Sequence, residues 1–278
     1  ASPAPSGGGG RGSARPEGAV GPAPTPPSTP TPSTPTPTPP TPIPTVAFKP
    51  SLHGFHFVNA FKGSPLPPSL RGLERVLGST IPDRFGLCGG MSALAADYFL
   101  ANLPIPDATK APAEGEPLYT DLYNRQVDSF GPGFTVPVRI LQGMATPDAG
   151  ASGLHALNAK ELPPIRERLA AHELVTLCLV LGKADGRTRP WDNHQVLAYA
   201  DATTDTAAPL LRIYDPNFPG DDEATLGFTA TPDGFSCLRT ARRRGAPAPT
   251  QTPVRGVFAG PYSKHTPTAP ADANRAEK

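Results

Sequence analysis

The run Leu174-Val-Thr-Leu-Cys-Leu-Val-Leu181 constrains this chain more than any other stretch. It is almost continuously apolar and of strand length, the pattern of a central strand buried on both faces. Such a strand needs cover above and below it, so helices must pack against a sheet. Helical periods are present on its N-terminal side. Leu87, Met91, Leu94, Ala95 and Tyr98 recur at the spacing of one helix face between Phe85 and Phe99. Pro117–Phe130 places Leu118, Leu122 and Val127 roughly on one side, and Asn158–His172 aligns Leu162, Ile165 and Leu169. Leu52–Phe61 is dense in aromatics and reads as an extended entry strand or loop. Ser69–Leu77 reads as a short helix weakened by Gly72, and Phe134–Gly143 as strand-like or mixed. On the C-terminal side, Trp191–Ala200 and Leu210–Asn217 read as neighbouring antiparallel strands. Ala224–Phe258 follows as short strand-like pieces between Gly and Pro turns. The expected class is α+β.

Composition sets the domain bounds. Residues 1–50 are Pro, Thr, Ser, Gly and Ala with little charge, and Thr-Pro recurs from Thr29 to Pro40. Such a segment buries too little apolar area to offset its ordering entropy. It is expected to be a disordered, partly polyproline-like linker, read either as a stalk carrying the domain away from a membrane or wall or as an inert tail. Residues 261–278 return to Pro, Ala, Thr and charge and are expected to be a disordered tail, which leaves 51–260 as one domain. A formal net charge of +1 gives no reason to expect a nucleic-acid or membrane-surface partner. No run of about 18 apolar residues is present, so no membrane span is expected. The three cysteines are not in CxxC spacing, which argues against a disulfide framework or a zinc knuckle. The chain opens on Ala1 rather than Met, as a processed or trimmed product would, and a secreted or cell-envelope setting is favoured.

The chemistry centres on Phe85-Gly-Leu-Cys-Gly-Gly-Met91. Cys88 falls at or just before the first helical turn, where free backbone N–H groups and the helix dipole favour a thiolate. Gly89 and Gly90 are expected to leave open space beside the sulfur for a substrate. His194 opens one later strand and Asp215 closes the next, with Pro216 stopping that strand. In that order a thiolate can attack a carbonyl carbon, an imidazole can shuttle the proton, and a carboxylate can hold the ring. The alternative is a buried core thiol and an accidental trio. Cys178, inside the apolar run, reads as an inert core thiol.

The order of these residues resembles the papain-like cysteine peptidase superfamily. Its layout is most similar to bacterial peptidase domains that trim double-glycine leader peptides (bacteriocin processing) and to their secreted relatives. The resemblance rests on Leu87-Cys88-Gly89-Gly90, on His194-Gln195-Val196-Leu197-Ala198-Tyr199 and on Tyr214-Asp215-Pro216, and covers about residues 80–220. It implies a papain-like α+β fold in which the Cys helix packs against an antiparallel sheet. It also implies a Cys88–His194–Asp215 triad acting on a peptide or protein substrate by hydrolysis or acyl transfer. One departure stands out. That family carries a Gln just before the Cys to help bind the oxyanion, and Ile81-Pro-Asp-Arg84 has neither Gln nor Asn. Asn59 and Gln195 are the candidate substitutes. Without one, the domain would be a degenerate papain-like module that binds a peptide or surface partner.

Other chemistries are weaker. Gly90-Met-Ser-Ala-Leu94 falls one residue short of a GxSxG elbow around Ser92. No GxxxxGK[ST] or GxGxxG is present, and neither a cofactor nor a metal is expected. His53 and His56, three apart, read as structural or exposed rather than as metal ligands. His155 and His172 read as surface residues, and Arg242–Arg244 as a solvated basic loop. Trp191 reads as packing or as a roof over the imidazole.

Overall fold

The computed structural model describes residues 47–62, 84–185, 188–204 and 208–268. In chain order these form α1 (Pro50–His53), β1 (Phe61–Lys62), β2 (Arg84–Phe85), α2 (Cys88–Leu100), α3 (Pro117–Asp128), α4 (Thr135–Ala145) and α5 (Leu154–Ala170). The strands β3 (Val175–Val180), β4 (His194–Asp201), β5 (Leu210–Tyr214), β6 (Thr225–Thr231), β7 (Gly234–Ala241), β8 (Thr250–Val254) and β9 (Gly256–Ala259) follow. Among the described residues the main sheet has seven strands in the order β8-β7-β6-β5-β4-β3-β9, and every pairing is antiparallel. The class is α+β.

The apolar run does what its pattern demands. Every residue of β3 is buried, and the strand lies between β4 and β9. Val175, Leu177 and Leu179 point into a core closed by Leu162, Ile165 and Leu169 of α5. Cys178 and Val180 point the other way, against Val136, Ile140 and Met144 of α4. Alternation along a strand sends successive side chains to opposite faces, so both helices are needed to cover it. The adjacent strands repeat the division. Val196, Ala198, Leu211 and Ile213 join the α5 side, whereas Leu197 and Tyr214 join the aromatic cluster around α2.

Several expectations change. Phe134–Gly143 is not strand-like but mostly α4, because Val136, Ile140, Gly143 and Met144 fall on one helical face that packs against β3. In α3 the buried face is Tyr119, Leu122, Arg125 and Gln126, while Val127 is 45% exposed; the helix turns its polar Arg and Gln inward because both find partners there. The entry segment takes the loop form: after the short helix Pro50–His53 it runs irregularly to Phe61, where β1 pairs with β2. The expected helix at Ser69–Leu77 lies outside the described residues, as does the tail up to residue 46. The proposed linker boundary at residue 50 is too late: Phe48 is 3% exposed, within the aromatic cluster.

The C-terminal boundary is likewise too early. Residues 261–268 form a strap over α2 and α3. The Tyr262 hydroxyl and the His265 backbone N–H both donate to Asp97 Oδ1, at 2.9 Å each. Arg125 Nε lies 2.7 Å from Asp97 Oδ2, and Arg125 Nη2 donates to the Ser263 carbonyl at 2.9 Å. A fully buried carboxylate on α2 has to be paired, and the Pro- and Thr-rich strap supplies partners that its composition did not advertise. Among the described residues, no helix is long and apolar enough to cross a membrane.

Candidate active site

Cys88 is the first residue of α2, with Leu87 as its N-cap. Its helix is buried on every side from Gly89 to Tyr98 rather than amphipathic, so the Cys88 end is fixed by packing along the whole element. Gly89 and Gly90 do not open space beside the sulfur, contrary to the expectation from sequence. A Cβ on Gly89 would run into Gln195 Oε1 and Ser129 Oγ, and one on Gly90 into the Leu122 carbonyl oxygen. The glycines let the start of α2 press against β4 and α3. The Gly90 N–H then donates to Gln126 Oε1 at 3.1 Å. Side-chain ends can yield and backbone cannot. Gly90→Ala is therefore expected to destabilise the fold by about 2 kcal/mol and Gly89→Ala by less, read from urea unfolding midpoints.

His194 begins β4 because Asn193 organises the turn before it. Asn193 Oδ1 accepts the N–H groups of Leu181 and Gly182 at 2.8 and 3.2 Å, and its amide donates to the Pro190 carbonyl at 2.8 Å. Asp215 follows β5 directly, and the antiparallel register that pairs Leu197 with Tyr214 brings it beside His194. His194 Nε2 and Asp215 Oδ1 are 2.7 Å apart. The same oxygen accepts the Asn217 N–H at 2.9 Å. Asp215 does not use the other ring nitrogen, Nδ1, and charge and hydrogen bonding couple the imidazole to the Cys88 thiol.

The electrostatics of the three groups are coupled. Burial by itself would raise the Cys88 thiol. The hydrogen bond and charge of His194, with the backbone N–H groups of Gln195 and Gly89, outweigh it and hold the thiol below its ordinary value. Burial by itself would lower His194, but the charge and hydrogen bond of Asp215, then those of Cys88, push it up to about 10. Asp215 is held below the usual carboxylate range against its burial by His194, Arg239 and the Asn217 N–H. Between the lowered thiol and the raised imidazole, the favoured state is a thiolate–imidazolium pair.

Arg239 on β7 was not among the candidates. Its Nη1 donates to Asp215 Oδ2 at 3.1 Å. The signal lay in the alternation Cys237, Arg239, Ala241, which aims an arginine at the interior between two buried apolar residues. A buried cation in such a position calls for a carboxylate.

The two candidate oxyanion donors part company. Asn59 sits against the nucleophile loop: its Oδ1 accepts the Leu87 N–H at 2.6 Å and its Nδ2 donates to Asn217 Oδ1 at 3.1 Å. Only a carbonyl oxygen can accept from Leu87, so the amide orientation is fixed. Gln195 points to the far side of β4, because alternation sends it away from His194. There its Oε1 accepts from the Ser129 hydroxyl at 3.0 Å and its Nε2 donates to Cys178 Sγ at 3.3 Å. It supports α2 from behind and offers the sulfur only its backbone N–H.

The remaining candidates fall away from the site. Ser92 is fully buried within α2, so an attacking substrate could not reach it. Burial pushes the Cys178 thiol up to about 12, the property of a core thiol. His53 accepts from the Lys49 N–H through Nδ1 at 2.8 Å and packs against Phe99. His56 lies 3.9 Å from Asp107, and His155 faces Thr231. His172 sits in an exposed turn after α5, and Arg242–Arg244 form an exposed turn after β7. Trp191 is 51% exposed, with the Arg189 guanidinium over its ring. No protein-family model, no curated protein and no solved structure matches this chain.

Proposed function

We propose that this domain is a papain-like cysteine hydrolase or acyl-transferase acting on an amide or peptide bond. The observation that carries the reading is the 2.7 Å link between His194 and Asp215, with Cys88 at the start of α2 coupled to the same imidazole. Support comes from opposite displacements of the thiol and imidazole, the thiol lowered and the imidazole raised.

In the proposed reaction the Cys88 thiolate attacks the carbonyl carbon and a C–S bond forms. The carbonyl electron pair moves onto oxygen. The Cys88 backbone N–H is the natural donor to that oxygen: it lies in the first turn, where helix N–H groups lack intrahelical partners. Its neighbours at Leu87 and Gly90 are already engaged by Asn59 and Gln126. Asn59 Nδ2 supplies the second donor, since a primary amide has two N–H bonds and Asn217 takes one. His194 then delivers its proton to the leaving nitrogen, the C–N bond breaks, and a thioester remains on Cys88. Water attacks the thioester with His194 as base, releasing the acid and restoring the thiol; an amine in place of water gives acyl transfer.

The test is acylation by N-acyl amino acid p-nitrophenyl esters at about pH 6, followed by intact mass and peptide mapping. The expected product is a single acyl group on Cys88 alone, formed much faster than on a free thiol peptide. A Cys88 that reacts no faster than that peptide would leave a non-catalytic peptide- or surface-binding module as the better reading.

A further inference from the structure

Asp215 has two carboxylate oxygens, and they are held differently. Oδ1 accepts from His194 Nε2 at 2.7 Å and from the Asn217 N–H at 2.9 Å. Oδ2 accepts from Arg239 Nη1 at 3.1 Å. The two donors on Oδ1 hold one side of the carboxylate and the donor on Oδ2 holds the other, so its plane is fixed from both sides. Arg239 is itself fixed: it is 8% exposed, its Nη2 donates to Thr252 Oγ1 at 3.3 Å on β8, and its guanidinium lies 5.4 Å from the Phe218 ring centroid. The guanidinium therefore bridges β8 to the acid turn, and a point-charge ammonium could not hold both contacts in one plane.

We propose that Arg239 is a positioning residue of the site, pinning the second oxygen of Asp215 so that the first stays in line with His194 and keeps the imidazolium beside Cys88. The inference rests on the Cys88–His194–Asp215 reading and adds a fourth member to it. The charged groups facing Asp215 are His194 from β4 and Arg239 from β7. Cys88 from α2 faces His194, and the next cation, Arg243, lies across the Phe218 ring at 5.8 Å.

The effect on Cys88 runs through the imidazole. Letting Asp215 turn loosens His194, which weakens its hold on the thiolate and raises the thiol. A purely structural arginine would change stability and leave the titration where it is.

The experiment is the rate of iodoacetamide alkylation of Cys88 against pH, in the full chain, for wild type, Arg239→Gln and Arg239→Lys, each first shown to unfold cooperatively. Wild type is expected to show a midpoint below that of an ordinary thiol. Arg239→Gln is expected to move it up by about one pH unit, with a roughly fivefold slower reaction at the wild-type midpoint. Arg239→Lys keeps the buried charge, is expected to fold, and should fall between the two. If Gln does not fold, a Lys midpoint above wild type still supports the proposal. Folded variants that superimpose on the wild-type profile overturn it while the triad stands. A wild-type profile that already matches an ordinary thiol removes the triad and this inference together.

Discussion

His194→Ala is expected to slow the alkylation of Cys88 at about pH 6 by on the order of 100-fold. In the native site burial raises the thiol, and the hydrogen bond and charge of His194 are the first of the effects that overcome it. Alanine deletes both. The backbone N–H groups of Gln195 and Gly89 remain but act alone against burial. The thiol then titrates at or above its ordinary value of about 8.5, so at about pH 6 only about one molecule in 300 carries a thiolate. The higher intrinsic nucleophilicity of a more basic thiolate recovers a small part of that factor. The direction with pH is fixed by the same pair. Wild-type reactivity should appear below the ordinary thiol range and stay on a plateau above it, because the sulfur remains a thiolate, whereas the variant should rise once, late, as a simple thiol. Alkylation rates with peptide mapping read both curves. Equal rates for the two proteins at about pH 6 would mean that His194 does nothing for the sulfur.

Much of this arrangement was legible in the chain because it depends on local pattern. An apolar run with no polar alternation requires cover on both faces, and β3 received it from α4 and α5. The Gly-Leu-Cys-Gly-Gly junction marks a helix start, and Asp-Pro marks a strand end, so Cys88, His194 and Asp215 could be placed on their elements without knowing the register. What escaped was decided by contacts distant in sequence. Gly89 and Gly90 suggested open space, but a missing Cβ serves equally to admit a neighbour, and the neighbours were Gln195 and the backbone of α3. The strap at 261–268 has the composition of a tail, and it orders because a buried Asp97 on α2 needs its donors. Arg239 lies 24 residues from Asp215, and only the alternation of β7 hinted that it turns inward.

Asn59→Ala and Asn59→Asp are expected to lower acyl transfer by about 100- to 1000-fold while leaving a reactive Cys88, and the contrast between the two variants assigns the cause. Asn59 holds the Leu87 N–H through Oδ1 and reaches Asn217 through Nδ2; its own backbone N–H donates to the Pro216 carbonyl at 3.0 Å. It thus ties Leu87, next to Cys88, to the turn that carries Asp215. Alanine removes both the tie and the donor. Aspartate keeps an acceptor for Leu87, and with it that half of the tie, but it loses the donor to Asn217 and has no N–H to offer a developing oxyanion. Alkylation by iodoacetamide forms no oxyanion, so it reports the thiolate alone. Loss of ester acylation with alkylation retained in Asn59→Asp is the result expected of an oxyanion donor. Retained acylation in Asn59→Asp would reduce Asn59 to a tie between loops and leave the Cys88 backbone N–H as the remaining donor. Parallel loss of alkylation and acylation in Asn59→Ala, with Asn59→Asp normal in both, would say the same from the opposite direction. The distinction matters because the proposed function needs an oxyanion donor beside Cys88, and the two variants separate that role from a tie between Leu87 and Asn217.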